Sequence, residues 1–271
     1  MRLDEKIRQV NEAGLGVHMP HVYLGDPNIE FSETLVDTLA TNGGDLVEIG
    51  IPFSDPVADG GTFQGVCERA LANGTTPADC FDLIKKFTSV HDNPVVLTTY
   101  YNIPFSMGIP EFMRRAREAG VHGLIIPNMP VEEADQILGE TRKNGIDVIF
   151  QVAPTTTEER LKKISDVAEG FLYVINVEGV TGTRFTVQQG TVKLLERTKK
   201  HTDLPLLAGF GVCTGEHARI LTQAGADGVI AGSVYADIYV AEKDPWMSLS
   251  FVAEKVREIK SGCSARWLVP K

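Results

Sequence analysis

The 271-residue sequence has no apolar run of roughly 18 residues, the length a helix needs to cross a bilayer. Its opening stretch, MRLDEKIRQVNEAG, is charged and amphipathic and lacks the apolar centre of an export signal. Basic residues are in deficit, 26 Lys and Arg against 36 Asp and Glu. The net charge of −10 leaves no basic face to neutralise phosphates, which argues against nucleic acid as a partner. The four cysteines (Cys67, Cys80, Cys213 and Cys263) are scattered and include no C-x-x-C pair. A cytoplasmic chain with reduced thiols is the expectation. Lysine is missing from every apolar run, which disfavours a Schiff-base aldolase. Histidines do not cluster either. His18 and His21 stand three apart in an extended segment and point to opposite sides. His91, His122, His201 and His217 are scattered and read as solvated, so no metal site is expected.

What remains is the composition of an ordinary globular chain, 43% hydrophobic and 23% charged. Eight apolar, β-rich runs are bounded by turn signals. They are GVHMPHVYL from Gly16, DLVEIG from Asp45, PVVLTTYY from Pro94, HGLIIP from His122, IDVIFQVA from Ile146, FLYVINV from Phe171, LPLLAGF from Leu204 and DGVIAG from Asp227. Continuous rather than alternating apolarity points to strands buried on both faces of a parallel sheet. Between them lie stretches of helical spacing, several ending at Gly before the next run. The alternation predicts an α/β fold, a single (β/α)8 TIM barrel over residues 1–271. A doubly wound sheet is the rival, but the Gly-rich fingerprint it often carries after its first strand is missing. Two intervals between runs are long, roughly 49 residues after the second and roughly 33 after the sixth. The surplus is assigned to long βα loops 2 and 6, and in barrels such loops form the catalytic face.

Those loops hold IPFSDPVADGGTFQGV and NVEGVTGTRFTVQQG. Glu48 ends the second run, and a carboxylate at the C-terminal end of a buried strand is costly unless paired or functional. The bland alternative is a Glu bonded to loop amides. Asp59 lies eleven residues later, near enough to fold over the same mouth, and two carboxylates in different environments can act as an acid/base pair. Asp55 reads as a turn former bonding backbone through its side chain. Glycines recur after the sixth, seventh and eighth runs: Gly179 and Gly182, Gly209 and Gly211, and Gly232 before Ser233. Three consecutive Gly-bearing loops suit a phosphate held by backbone N–H groups, with Ser233 capping a helix whose N-terminus faces the anion.

The run LVEIGIPFSDPVADGGTFQ (Leu46 to Gln64) resembles the signature of the tryptophan synthase alpha subunit family. The resemblance continues through VYLGDPNIE, TTYYNIPF, NMPVEEA, FLYVINVEGVTG, LLAGFGV and AGADGVIAGS. It implies a retro-aldol lyase that splits indole-3-glycerol phosphate into indole and glyceraldehyde 3-phosphate. Glu48 then matches the general acid/base, Asp59 the acceptor of the indole N–H, and Tyr173 a hydroxyl beside that carboxylate. Gly182, Gly211, Gly232 and Ser233 match the phosphate-binding backbone, and His21, Thr98, Gln151 and Phe210 fall in the substrate pocket. The resemblance implies no cofactor in this chain, pyridoxal phosphate belonging to a beta subunit in a heterotetramer of two alpha and two beta chains.

Some positions depart from the family's usual pattern: His21, Thr98 and Gln151 are polar where apolar residues are common, Asn128 replaces Asp, and Gly61 replaces Pro. Asn176, Val177 and Glu178 stand where Ser- and Arg-type residues are frequent. Buried polar groups need partners, so His21, Thr98 and Gln151 are expected to satisfy one another. Two other readings are a stand-alone paralogue cleaving a related glycerol phosphate, and a non-catalytic barrel that activates a beta subunit.

Overall fold

Each of the eight apolar runs is a strand in the computed structural model, which describes residues 2–175, 189–209 and 211–263. The strands are β1 (Val17–Tyr23), β2 (Val47–Gly50), β3 (Val95–Thr98), β4 (Val121–Ile125) and β5 (Asp147–Ile149). They continue with β6 (Gln151–Val152), β7 (Leu172–Ile175), β8 (Leu206–Gly209) and β9 (Gly228–Ala231). The count is nine because the fifth run breaks at Phe150. Neighbours follow the order β5-β4-β3-β2-β1-β9-β8-β7-β6, and every pair is parallel. Since β5 and β6 are successive halves of one run, the sheet curls into a nearly closed barrel with its seam at that break.

Helices alternate with the strands: α1 (Leu3–Glu12), α2 (Ile29–Thr41), α3 (Gly61–Ala72), α4 (Pro77–Thr88), α5 (Asn102–Met107) and α6 (Ile109–Glu118). After them come α7 (Asp135–Asn144), α8 (Glu158–Val167), α9 (Gln189–Lys199), α10 (Gly215–Gln223), α11 (Ser233–Ala241) and α12 (Leu249–Gly262). Their starts follow local chemistry. Asn28 accepts from the N–H of Phe31 at 2.8 Å to open α2, and Thr157 and Thr214 open α8 and α10 in the same way.

The long second interval is only partly loop. Residues 51–60 connect β2 to α3, and two helices rather than an extended loop take up most of the surplus. The second of them is written locally: Thr76 and Asp79 form a reciprocal capping box with Pro77 at the first helical position. The long sixth connection, including Gly179 and Gly182, lies outside the described residues.

Strand alternation divides the core in two. One apolar cluster fills the space between barrel and helices, and a second fills the barrel interior with Val17, Met19, Leu46, Val96, Ile125, Ile149, Phe171, Leu207 and Ile230. Leu3 and Ile7 of α1 are fully buried in that inner cluster, so the charged N-terminal helix stoppers the bottom of the barrel. Two residues above the inner layer on each strand, the same face presents His21, Glu48, Thr98, Gln151 and Tyr173 at the opposite, C-terminal end. His18, three residues before His21, faces outward, with Nε2 2.8 Å from the hydroxyl of Tyr235 on α11. The two histidines lie on opposite faces, as their spacing requires.

Candidate active site

Glu48 is paired in register with His21 of β1 and is only 2% exposed. Its Oε1 accepts from the hydroxyl of Thr98 at 2.6 Å and lies 3.4 Å from Nδ1 of His21. Its Oε2 is buried without a hydrogen-bond partner among the described residues. Burial pushes the carboxyl up to about 8; the Thr98 hydrogen bond pulls it down, and the charge of Asp59 adds to the rise. Glu48 therefore carries a proton at neutral pH. Burial holds His21 down to about 3, so the imidazole is neutral and the close approach is not an ion pair.

Asp59 sits in the β2–α3 loop, half-buried. Its Oδ2 accepts from Tyr23 at 2.8 Å and from Tyr100 at 2.5 Å. Burial raises its pKa, and the two phenol donors oppose the rise. Tyr173 is buried on β7, and its ring lies over Gly209, where an added Cβ would stand 2.3 Å from the phenol oxygen. Gly50 gives the ring of Tyr23 the same clearance, the nearest ring carbon being 2.4 Å from such a Cβ.

One cavity at the C-terminal mouth is lined by nine of the residues named from sequence: His21, Glu48, Asp59, Thr98, Gln151, Tyr173, Gly211, Gly232 and Ser233. Gly179, Gly182 and Phe210 lie outside the described residues, and Gly209 is not part of the cavity lining. Gly211 holds φ at +72°, where a side chain is strained even though no atom of the described residues lies within 4 Å of an added Cβ. Gly232 is needed for packing as well, because a Cβ there would meet Phe63 at 2.8 Å.

Four local expectations need correction. Ser233 does not cap α11: Gly232 is the N-cap, no side chain caps the turn, and Ser233 is the first helical residue. Asp55 accepts from the hydroxyl of Ser54 at 2.6 Å, so its side chain meets a side chain rather than the backbone. His21, Thr98 and Gln151 do not satisfy one another. The Thr98 hydroxyl goes to Glu48, and Nε2 of His21 is buried without a partner. The peripheral histidines are also less solvated than their scatter implies. His91 pairs with Asp37 and stacks on Phe87, and His122 lies half-buried in β4, where its Nδ1 accepts from the N–H of Val95.

Tyr23, Tyr100 and Phe63 were not singled out from sequence. Phe63 packs its ring 4.8 Å from His21 and 5.2 Å from Tyr23. The residue before Phe63 ties α3 to α11 through the hydroxyl of Thr62, which donates to Asp237 at 2.8 Å. Gly50, against which the ring of Tyr23 packs, was the one available hint that ring and backbone meet closely here.

The family model for the tryptophan synthase alpha chain matches residues 7–263. The chain belongs to the tryptophan synthase alpha chain family. Members are lyases that cleave indole-3-glycerol phosphate to indole and glyceraldehyde 3-phosphate. The tryptophan synthase alpha chain of Methanothermobacter thermautotrophicus is 48% identical over 81% of this chain and 82% of its own. That of Methanosarcina barkeri is 42% identical over 96% of this chain and 97% of its own. Among solved structures, ligand-free tryptophan synthase from Mycobacterium tuberculosis superimposes with a TM-score of 0.88 at 28% identity, covering 97% of this chain and 99% of that one. The tryptophan synthase alpha chain from Legionella pneumophila gives 0.87 at 29% identity, covering 99% of each.

Against the family's usual pattern, two departures have no structural explanation in their surroundings. Asn128 accepts from the N–H of Tyr101 at 2.9 Å through Oδ1, a bond that Asp at this position can also make. Gly61 opens α3 with no atom of the described residues within 4 Å of an added Cβ, so none of them requires glycine there.

Proposed function

We propose that this chain performs the family's reaction with Glu48 as general acid and base and Asp59 as the acceptor of the indole N–H. The observation that carries the assignment is the placement of a buried and a half-buried carboxyl group in one cavity with different hydrogen-bond donors. Glu48 holds a proton in a nearly dry wall, while Asp59 is stabilised by two phenol donors. In the reaction, Glu48 delivers its proton to C3 of the indole ring as Asp59 accepts from the ring N–H. The cationic ring then draws electrons from the bond between C3 and the glycerol side chain. As that bond breaks, the adjoining hydroxyl gives up its proton to Glu48 and becomes the aldehyde carbonyl. The carboxyl is thereby returned to its starting state. Tyr173 walls the cavity opposite Glu48 and supplies a hydroxyl to the ring or the glycerol chain.

The phosphate is assigned to the backbone N–H groups of Gly211 and of Gly232 and Ser233 at the start of α11, with Gly182 from the sixth connection. These are dipoles rather than charges, which suits a chain of net charge −10. The chain itself requires no cofactor for these proton transfers. The partner is a pyridoxal-phosphate beta subunit in a heterotetramer of two alpha and two beta chains, working in the cytoplasm. Steady-state cleavage of indole-3-glycerol phosphate by the purified chain, with and without a beta subunit, tests the proposal. Formation of indole supports it; absence of cleavage in both conditions overturns it.

A further inference from the structure

We propose that Thr98 is a positioning residue that latches the carboxyl of Glu48 by Oε1 and leaves Oε2 as the oxygen that exchanges protons with substrate. The inference rests on the assignment of Glu48 as acid and base. A glutamate side chain turns about three single bonds, and in an open cavity nothing would hold its carboxyl in one orientation. Here β3 supplies the restraint. In register, Glu48 faces Val96 and Gly50 faces Thr98, so Thr98 stands one inward-facing position further towards the mouth than the cross-strand partner of Glu48. Thr98 is 2% exposed, and its branched Cβ restricts the directions its hydroxyl can take. The hydroxyl reaches Oε1 at 2.6 Å.

The other neighbours close the remaining directions. The ring of His21 approaches the same oxygen, with Nδ1 at 3.4 Å, and is itself held between Tyr23 and Phe63 at 5.1 and 4.8 Å. Oε2 is left buried and without a hydrogen-bond partner among the described residues, although its residue lines the cavity. A buried carboxyl oxygen with no partner costs stability, and such an orphan is tolerated where function needs it free. The two oxygens thus have separate tasks, Oε1 for anchorage and Oε2 for chemistry. Thr98 does a second thing by donating to Oε1: it favours the ionised form and so restrains the rise that burial imposes on Glu48. The titratable groups facing this carboxyl are His21 on β1, Tyr173 on β7 and Asp59 from the β2–α3 loop.

The test is the cleavage of indole-3-glycerol phosphate by the full chain as wild type, Thr98→Val, Thr98→Ser and Glu48→Gln, each over a range of pH. Thr98→Val keeps the shape and removes the hydroxyl; it should lower kcat about tenfold or more with KM within about twofold. The ionisation that limits kcat/KM should move to higher pH by about one unit, since the bond favouring the charged form is gone. Thr98→Ser, which keeps the hydroxyl, should recover most of kcat and the original pH profile. A wild-type kcat and pH profile in Thr98→Val overturns the latch. If Thr98→Val does not accumulate as folded protein, Thr98→Ala removes the same hydroxyl without added bulk and is read by the same two quantities. Glu48→Gln separates the two ideas. An active Glu48→Gln removes the acid/base assignment itself, whereas an inactive Glu48→Gln beside an unaltered Thr98→Val removes only the latch.

Discussion

The hydroxyl of Tyr23 donates to Oδ2 of Asp59 at 2.8 Å, joining the last residue of β1 to the loop that follows β2. Tyr100 donates to the same oxygen at 2.5 Å and accepts from the N–H of Ala58 at 3.1 Å. Burial raises both phenols above their usual range, so they keep their protons and remain donors. Residues 58 and 59 are thus pinned over the mouth of the barrel. Tyr23→Phe and Tyr100→Phe should each reduce kcat/KM about tenfold, as expected for losing a hydrogen bond to a charged group worth ~1.5–3 kcal/mol. The double variant should lose more than either single one, because the remaining phenol partly compensates for the missing one. Steady-state kinetics on the three variants checks this, and a double variant with wild-type kcat/KM shows that Asp59 does not depend on its donors.

Glu48→Gln is nearly isosteric and removes the exchangeable proton. We expect kcat to fall by about 10²-fold or more with KM changed only a fewfold, since substrate contacts other than proton transfer survive. In the wild type, the proton-donating form of Glu48 is lost as pH rises through about 8, so kcat/KM should decline on that side of the profile. A variant retaining more than about a tenth of the wild-type kcat contradicts proton transfer by this residue.

The same carboxyl couples folding to pH. Its pKa rises from 4.5 in the unfolded chain to about 8 when folded. Across that window the folded chain keeps a proton that the unfolded chain has released, so the contribution of Glu48 is full below 4.5 and is lost as pH rises through 8. Glu48→Gln has no such loss. Its denaturation midpoint, compared with that of the wild type, should become relatively more favourable as pH is raised across the window. His18 and His21 act at the other end. Both fall from 6.5 to about 3 on folding, so their contribution is present above 6.5 and disappears as pH drops towards 3. A constant difference between Glu48→Gln and wild type from acid to alkaline pH would mean that Glu48 titrates normally.

How legible all this was in the sequence depended on range. The strands were readable because segments such as Val95–Thr98 and Leu206–Gly209 are buried on both faces and therefore continuously apolar. Glu48 was readable for the complementary reason, being a charge at the end of such a run. The break at Phe150 was not, because IDVIFQVA is apolar straight through and the seam arises from closing the barrel. The capping box at Thr76 and Asp79 is written in the sequence, whereas the length of the interval taken alone predicts a loop. Tyr23 and Tyr100 escaped because tyrosines in an apolar run look like core, and only the fold brings a loop carboxylate to their hydroxyls.

Gly209 offers a steric test of Tyr173. Its φ is unremarkable, so the reason for glycine is space: a Cβ would stand 2.3 Å from the phenol oxygen and 2.6 Å from two ring carbons. Gly209→Ala must therefore displace the ring from the cavity wall, at a cost of about 1–3 kcal/mol for overpacking. Activity should fall with stability, whereas Gly209→Ala combined with Tyr173→Phe should recover part of the stability because the oxygen nearest the new methyl is gone. Denaturant midpoints of the single and double variants measure this, and additive losses would place the ring elsewhere.

His21 allows the opposite kind of prediction, in which removing a polar group helps. Its ring lies between Tyr23 and Phe63, its Nε2 is buried with no partner, and its Nδ1 approaches Glu48 only to 3.4 Å. Burial holds it neutral, so His21→Phe removes no charge at neutral pH. The substitution gives up one long contact and relieves one unsatisfied nitrogen, each on the scale of about 1 kcal/mol, so the denaturation midpoint should shift by less than that. In the cavity, it replaces a nitrogen-bearing wall with a fully apolar one. A gain of ~40 Å² of apolar contact would contribute about 1 kcal/mol, or roughly fivefold in indole affinity. Calorimetric titration with indole and a denaturation curve, on wild type and His21→Phe, decide the matter. A loss of about 1–3 kcal/mol in stability with unchanged indole affinity would mean that both ring nitrogens are bonded in solution, through water where no side chain reaches, and that the polar wall is structural.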